Sequence, residues 1–147
     1  MSLNILIVDD NPIIRRMLRV FIEHDTQSNI CGEAENGQIA VEQVKRSPPD
    51  VVILDLQMPV MNGLEAARHI SSIAPKTTMA MLTLYAQEEV TQQARAAGVQ
   101  RVFSKADTLS SLTSWLKTLD SPAPAAVPGD LKGLSPRSCA PQKNQLR

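Results

Sequence analysis

Short apolar blocks alternate along this chain with longer stretches in which apolar residues recur every three or four positions, and the alternation repeats five times. Leu3 to Val8 is an apolar run that stops at Asp9-Asp10-Asn11-Pro12, which predicts a strand followed by a turn. Proline suits the first turn of a helix, and Ile13, Ile14, Met17, Leu18 and Phe21 then mark one helical face, with Arg15, Arg16 and Arg19 largely off it. Ile30 to Ala34 reads as a weaker strand. Gly37 to Arg46 reads as a helix with Ile39, Ala40 and Val44 inward, broken by Pro48-Pro49. Val51 to Leu54 is wholly apolar and mostly β-branched, as expected of a strand buried on both faces, and it ends on Asp55. Gly63 to Ile73 is the third predicted helix and Thr78 to Leu82 the fourth strand. Glu88 to Ala97 is a helix ended by Gly98, and Val99 to Phe103 is the fifth strand. The last helix runs from Leu109 to Leu119, with Leu112, Trp115, Leu116 and Leu119 on one side.

Five strand-then-helix units require a parallel sheet covered on both faces, because each crossover returns right-handed. The expected fold is therefore α/β, a flavodoxin-like doubly wound five-stranded parallel sheet of order 2-1-3-4-5 with five helices. This domain occupies residues 1–120. Residues 121–147 hold five of the ten prolines and no aromatic residue, a composition that buries too little apolar surface to offset the entropy of ordering. That segment is expected to be a Pro/Ala-rich disordered tail or linker.

Composition narrows the picture. A chain of 147 residues accommodates one core rather than two, and with only four aromatics that core is aliphatic. Residues 1–120 carry eleven Lys and Arg against fourteen Asp and Glu, so the domain is mildly acidic and no direct nucleic-acid partner is expected. No long uncharged apolar run or basic-then-apolar leader appears. Cys31 and Cys139 fit no metal-ligand spacing. A soluble, reduced, cytoplasmic protein without a membrane partner is the expectation. His24 and His69 each stand alone and receive no role.

Ligands of open parallel sheets bind beyond the carboxyl ends of the strands, where strand order reverses. Asp9 and Asp10 follow the first predicted strand, Asp55 the third, Thr83 the fourth and Lys105 the fifth, so all of them fall at one sheet edge. Converging carboxylates repel one another unless cations compensate. Lys105 is one compensator; an all-oxygen donor set with few carboxylates points to Mg²⁺ for the other. A carboxylate is ionised at neutral pH, so Asp55 can attack phosphorus without a general base.

These residues resemble the receiver domain of two-component response regulators, chemotaxis receivers among them, over roughly Leu3 to Leu119. The resemblance rests on Asp9-Asp10 after an apolar strand, on Val51 to Asp55 followed by Met58-Pro59 and Gly63, on Thr83 and on Lys105. It implies phosphotransfer from a histidine kinase to Asp55. It further implies Mg²⁺ ligation by Asp10 directly, by Asp9 through water, by Asp55 and by the backbone carbonyl of Gln57, with Thr83 and Lys105 sensing the phosphate. The implied protein is a phosphoacceptor rather than an enzyme. Thr83 and Lys105 lead into the face of the fourth helix, fifth strand and fifth helix, which is expected to carry partner or dimer contacts, and the tail suggests either a linker to an output domain or a stand-alone receiver that acts on an effector.

Three positions depart from the family pattern. Val102 stands where an aromatic switch residue is common, and Phe103 beside it should face the other way. Lys105-Ala106 replaces a Lys-Pro pair that is often cis, and Tyr85 lies two residues after Thr83. Two other readings remain at this level: a phosphohydrolase with Asp55 as nucleophile, which Gln57 in place of a second acid disfavours, and a docking module that is never phosphorylated.

Overall fold

The computed structural model describes residues 2–84, 86–106 and 109–120. In chain order the elements are β1 (Asn4–Val8), α1 (Pro12–Asp25), β2 (Asn29–Ala34), α2 (Gly37–Arg46), β3 (Val51–Asp55), α3 (Gly63–Ile73), β4 (Thr78–Thr83), α4 (Glu88–Ala96), β5 (Arg101–Ser104) and α5 (Leu109–Asp120). The strands form a parallel sheet of order β2-β1-β3-β4-β5, as expected. The segment 121–147 lies outside the described residues, as do Tyr85 and Cys139.

Alternate strand residues feed two cores. Leu6, Val8, Val52, Leu54, Met79 and Met81 pack against residues of α2, α3 and α4 on one face of the sheet. On the other face, Ile5, Ile7, Val51, Ile53, Leu82 and Phe103 pack against Leu18 and Ile22 of α1 and Leu112 and Leu116 of α5. Period-two alternation in central strands covered on both sides makes every position apolar, which is why β3 shows no polar break before Asp55. Among the described residues no helix is long and apolar enough to cross a membrane.

Asparagines start three of the helices. Asn11 accepts from the backbone N–H of Ile13, Asn36 from that of Ile39, and Asn62 closes a capping box with Glu65. Each cap sits at the carboxyl edge of the sheet and stops the chain from running on past the strand end.

The structure differs from the sequence-based expectation in local detail. In α1 the buried residues are Leu18 and Ile22, whereas Ile13 is 75% and Met17 44% exposed. The buried stripe is thus rotated, and the Arg15 side chain, expected off the packed face, is only 16% exposed because it reaches an ion pair with Glu33 of β2. In α2, Val41 is buried with Ala40 and Val44, and Ile39 only partly so. β5 starts at Arg101 rather than Val99, although Val99 is still buried in the α2–α4 core. In α5, Thr113 is buried and donates to Asp25 Oδ2 at 2.7 Å, tying α5 to α1, while Leu119 is exposed. A hydroxyl with a carboxylate partner is buried at little cost, and apolar periodicity alone does not reveal it.

Candidate functional site

The end of β1 delivers Asp9 and Asp10, and the end of β3, its neighbour in the sheet, delivers Asp55. Asp9, Asp10 and Asp55 each offer a carboxylate oxygen, and the three lie within 4.8 Å of one another. Lys105 arrives just beyond β5 and bridges two of them, its Nζ lying 3.0 Å from Asp9 Oδ2 and 3.0 Å from Asp55 Oδ1. Strand parity explains this meeting. Asp55 continues the alternation of Val51 and Ile53, Asp9 that of Ile5 and Ile7, and Lys105 that of Phe103, all on the α1 and α5 side.

Thr83 ends β4 at the same edge, buried, and pairs with Ser104 in register; its carbonyl accepts from the Lys105 backbone N–H at 2.8 Å. Asp55 pairs with Leu82, so Thr83 lies one step further along. Gln57 is exposed in the connection from β3 to α3. The structure therefore gathers Asp9, Asp10, Asp55 and Lys105, while Thr83 ends the adjacent strand and Gln57 follows Asp55 by two residues.

The electrostatics follow from burial and charge count. Asp9 and Asp55 are buried, whereas Asp10 is exposed. Burial pushes the Asp55 carboxyl above its usual range; the Lys105 hydrogen bond opposes this, and the charges of Asp9 and Asp10 add to it. For Lys105, burial acts to lower the ammonium, but hydrogen bonds to Asp55 and Asp9 outweigh it and the net shift is upward. Lys105 is therefore a fixed cation between Asp9 and Asp55.

The backbone around Asp55 is equally constrained. The Gly63 N–H donates to the Leu56 carbonyl at 2.8 Å, and a Cβ at Gly63 would collide with the Asp55 carbonyl oxygen. Glycine at this position is thus a steric requirement of the turn that presents Asp55.

No peptide bond among the described residues is cis, Lys105–Ala106 included, and the Ala106 N–H donates to Ser104 Oγ at 3.1 Å. Phe103 and Val102 do face opposite ways. Phe103 is buried in the α1/α5 core, with its ring centroid 5.7 Å from that of Trp115, while Val102 packs partly buried against the other core.

Sequence reasoning missed one contact of the site. Arg15 Nη1 donates to the Asp9 backbone carbonyl at 2.6 Å while its Nε pairs with Glu33. The charged Glu33 within the edge strand β2 was the clue: half-buried there, it takes a cation from α1.

Comparison with known proteins agrees with this geometry. A model of the response regulator receiver domain matches residues 5–117. The chain is 36% identical over 105 residues to the chemotaxis protein CheY of Halobacterium salinarum, covering 71% of this chain and 86% of that one. It is 35% identical over 108 residues to the uncharacterized transcriptional regulatory protein YxjL of Bacillus subtilis, covering 74% of this chain but only 49% of that protein. The chain thus spans about half the length of that regulator. Among solved structures, a two-component response regulator of the LuxR family from Aurantimonas sp. SI85-9A1 superposes with a TM-score of 0.77 at 26% identity, covering 81% of this chain and 85% of that one. The matched span takes in every strand and the acid pocket at their carboxyl ends, and the chain belongs to the response regulator receiver domain family of two-component systems.

Proposed function

We propose that Asp55 accepts a phosphoryl group from a histidine kinase in the presence of Mg²⁺, and that the modified domain changes what it binds. The observation that carries this reading is the meeting of three carboxylates within 4.8 Å around one lysine. One ammonium leaves that cluster short of positive charge, and donors that are all oxygen suit a hard divalent ion. Asp9, Asp10, Asp55 and the Gln57 carbonyl are the groups that would hold it. When bound, Mg²⁺ offsets charge on the transferring phosphoryl oxygens.

The chain's own residues do the rest. An Asp55 carboxylate oxygen forms the new bond to phosphorus as the bond from phosphorus to the donor imidazole nitrogen breaks. Lys105, anchored to Asp9, turns its remaining N–H donors to the phosphoryl oxygens, and the Thr83 hydroxyl donates one further hydrogen bond. The backbone bond from Lys105 N to Thr83 O couples these two groups to β4 and β5. Partner or dimer contacts are accordingly assigned to the face of α4, β5 and α5, next to which Leu84 stands 64% exposed. An effector or an output domain is the proposed recipient of the signal. The domain acts in the cytoplasm and does not itself touch nucleic acid.

Intact-mass measurement with acetyl phosphate tests the proposal. The wild type gains one phosphoryl group only with Mg²⁺, Asp55→Asn gains none, and Asp10→Ala is labelled weakly with reduced Mg²⁺ dependence. Labelling of Asp55→Asn at the wild-type level refutes the assignment. Steady hydrolysis of a phosphate ester by the purified protein favours the phosphohydrolase reading instead.

A further inference from the structure

We propose that Arg15 is a positioning residue for the acid pocket, locking the Asp9–Asp10 peptide so that Asp10 is aimed at the cation site; this rests on the reading of the pocket as a Mg²⁺-dependent phosphoacceptor. The Asp10 side chain is exposed and has no hydrogen bond or ion pair among the described residues, so its backbone alone orients it. That backbone is a planar peptide whose carbonyl oxygen belongs to Asp9. Arg15 Nη1 donates to this oxygen at 2.6 Å.

The guanidinium is itself held. Its Nε donates to Glu33 Oε1 at 3.0 Å, and Arg19 Nε takes Glu33 Oε2 at 2.8 Å. Glu33 pairs with Ile7 in the β1–β2 register, so the clamp is anchored on the sheet next to the strand end it controls. The other polar groups of Asp9 are engaged elsewhere: its N–H with the Ala34 carbonyl at 3.1 Å, Oδ1 with the Asn11 N–H at 2.9 Å, and Oδ2 with Lys105 at 3.0 Å. Those bonds fix Asp9. Arg15 is the contact that fixes the peptide leading out of it. A planar guanidinium fork can join Glu33 and the carbonyl in one rigid geometry, and a lysine ammonium cannot.

Calorimetric titration of the full chain with Mg²⁺ tests the proposal in wild type, Arg15→Lys, Arg15→Gln and Arg19→Gln, each checked for folding by circular dichroism. Loss of an outer partner that orients a metal ligand weakens affinity by roughly 10-fold or more, and that loss is expected in both Arg15 variants. Arg19→Gln removes the same charge from the same network without touching Asp9, and loses less affinity than Arg15→Gln. Arg15→Lys needs more Mg²⁺ than the wild type for half-maximal labelling by acetyl phosphate, because the placement of the ligand has been lost. Unchanged affinity in folded Arg15→Lys, or an equal loss in Arg19→Gln, overturns the proposal. A wild type that neither binds Mg²⁺ nor is labelled removes the functional reading and this inference with it; a wild type that does both beside indifferent Arg15 variants removes this inference alone.

Discussion

Val60 holds φ at 69°, the left-handed region, although it is β-branched. The Met61 N–H donates to the Pro59 carbonyl across it at 2.7 Å, a three-residue turn with positive φ at its centre, which is a strained arrangement. The side chain is 74% exposed, so packing does not repay the strain. What the turn achieves is placement: the Met61 carbonyl accepts from Gly37 at 3.1 Å, and Gly63 comes under the Asp55 backbone. Strain of about 1–3 kcal/mol, less the greater unfolded-state entropy of glycine, leaves a gain of about 1 kcal/mol for Val60→Gly. Urea denaturation is expected to show that stabilisation, and a loss of stability would mean that Val60 is not strained.

At the scale of elements, α1 shows how a helix can be assigned correctly and still be rotated. Its extent was legible from Pro12 onward, because helical spacing of apolar residues survives an error in phase. Which residues it buries depends on the surface beneath it, and β2 presents Glu33 there, drawing Arg15 and Arg19 inward. For the Glu33 carboxyl, burial acts upward, but hydrogen bonds and charge from Arg19 and Arg15 outweigh it and hold it below its ordinary 4.5. A carboxyl with a lowered folded pKa stabilises fully above its unfolded value and loses that contribution as pH falls through the folded one. Glu33→Gln is therefore expected to lower stability at neutral pH, with the gap to wild type closing on acidification below 4.5. Urea midpoints across that range check it; a gap that widens in acid would contradict the sign.

For the whole molecule, the pocket is a place where function opposes stability. Asp55 binds its proton more tightly folded than unfolded, so metal-free stability falls as pH rises from 3.8 through the raised folded value, and at neutral pH the ionised carboxylate is a cost. Asp55→Asn removes that cost. Its thermal midpoint without Mg²⁺ is expected to exceed that of the wild type, and Mg²⁺ is expected to raise the midpoint of the wild type more than that of the variant. A lower metal-free midpoint for Asp55→Asn would show that the pair with Lys105 outweighs burial and repulsion.

The sequence alone determined the architecture and the sheet edge at which these polar side chains gather, because apolar periodicity and strand-terminal polar residues are local properties, and right-handed crossovers leave few ways to assemble five such units. Asp9, Asp10, Asp55, Thr83 and Lys105 were all legible in that way. Tertiary structure decided how they meet: that Lys105 spans Asp9 and Asp55, that Asp10 is left exposed, and that Arg15, held by Glu33, reaches the Asp9 carbonyl. Such contacts join residues up to 96 positions apart, and their geometry is set by strand register and helix rotation, which no local pattern encodes.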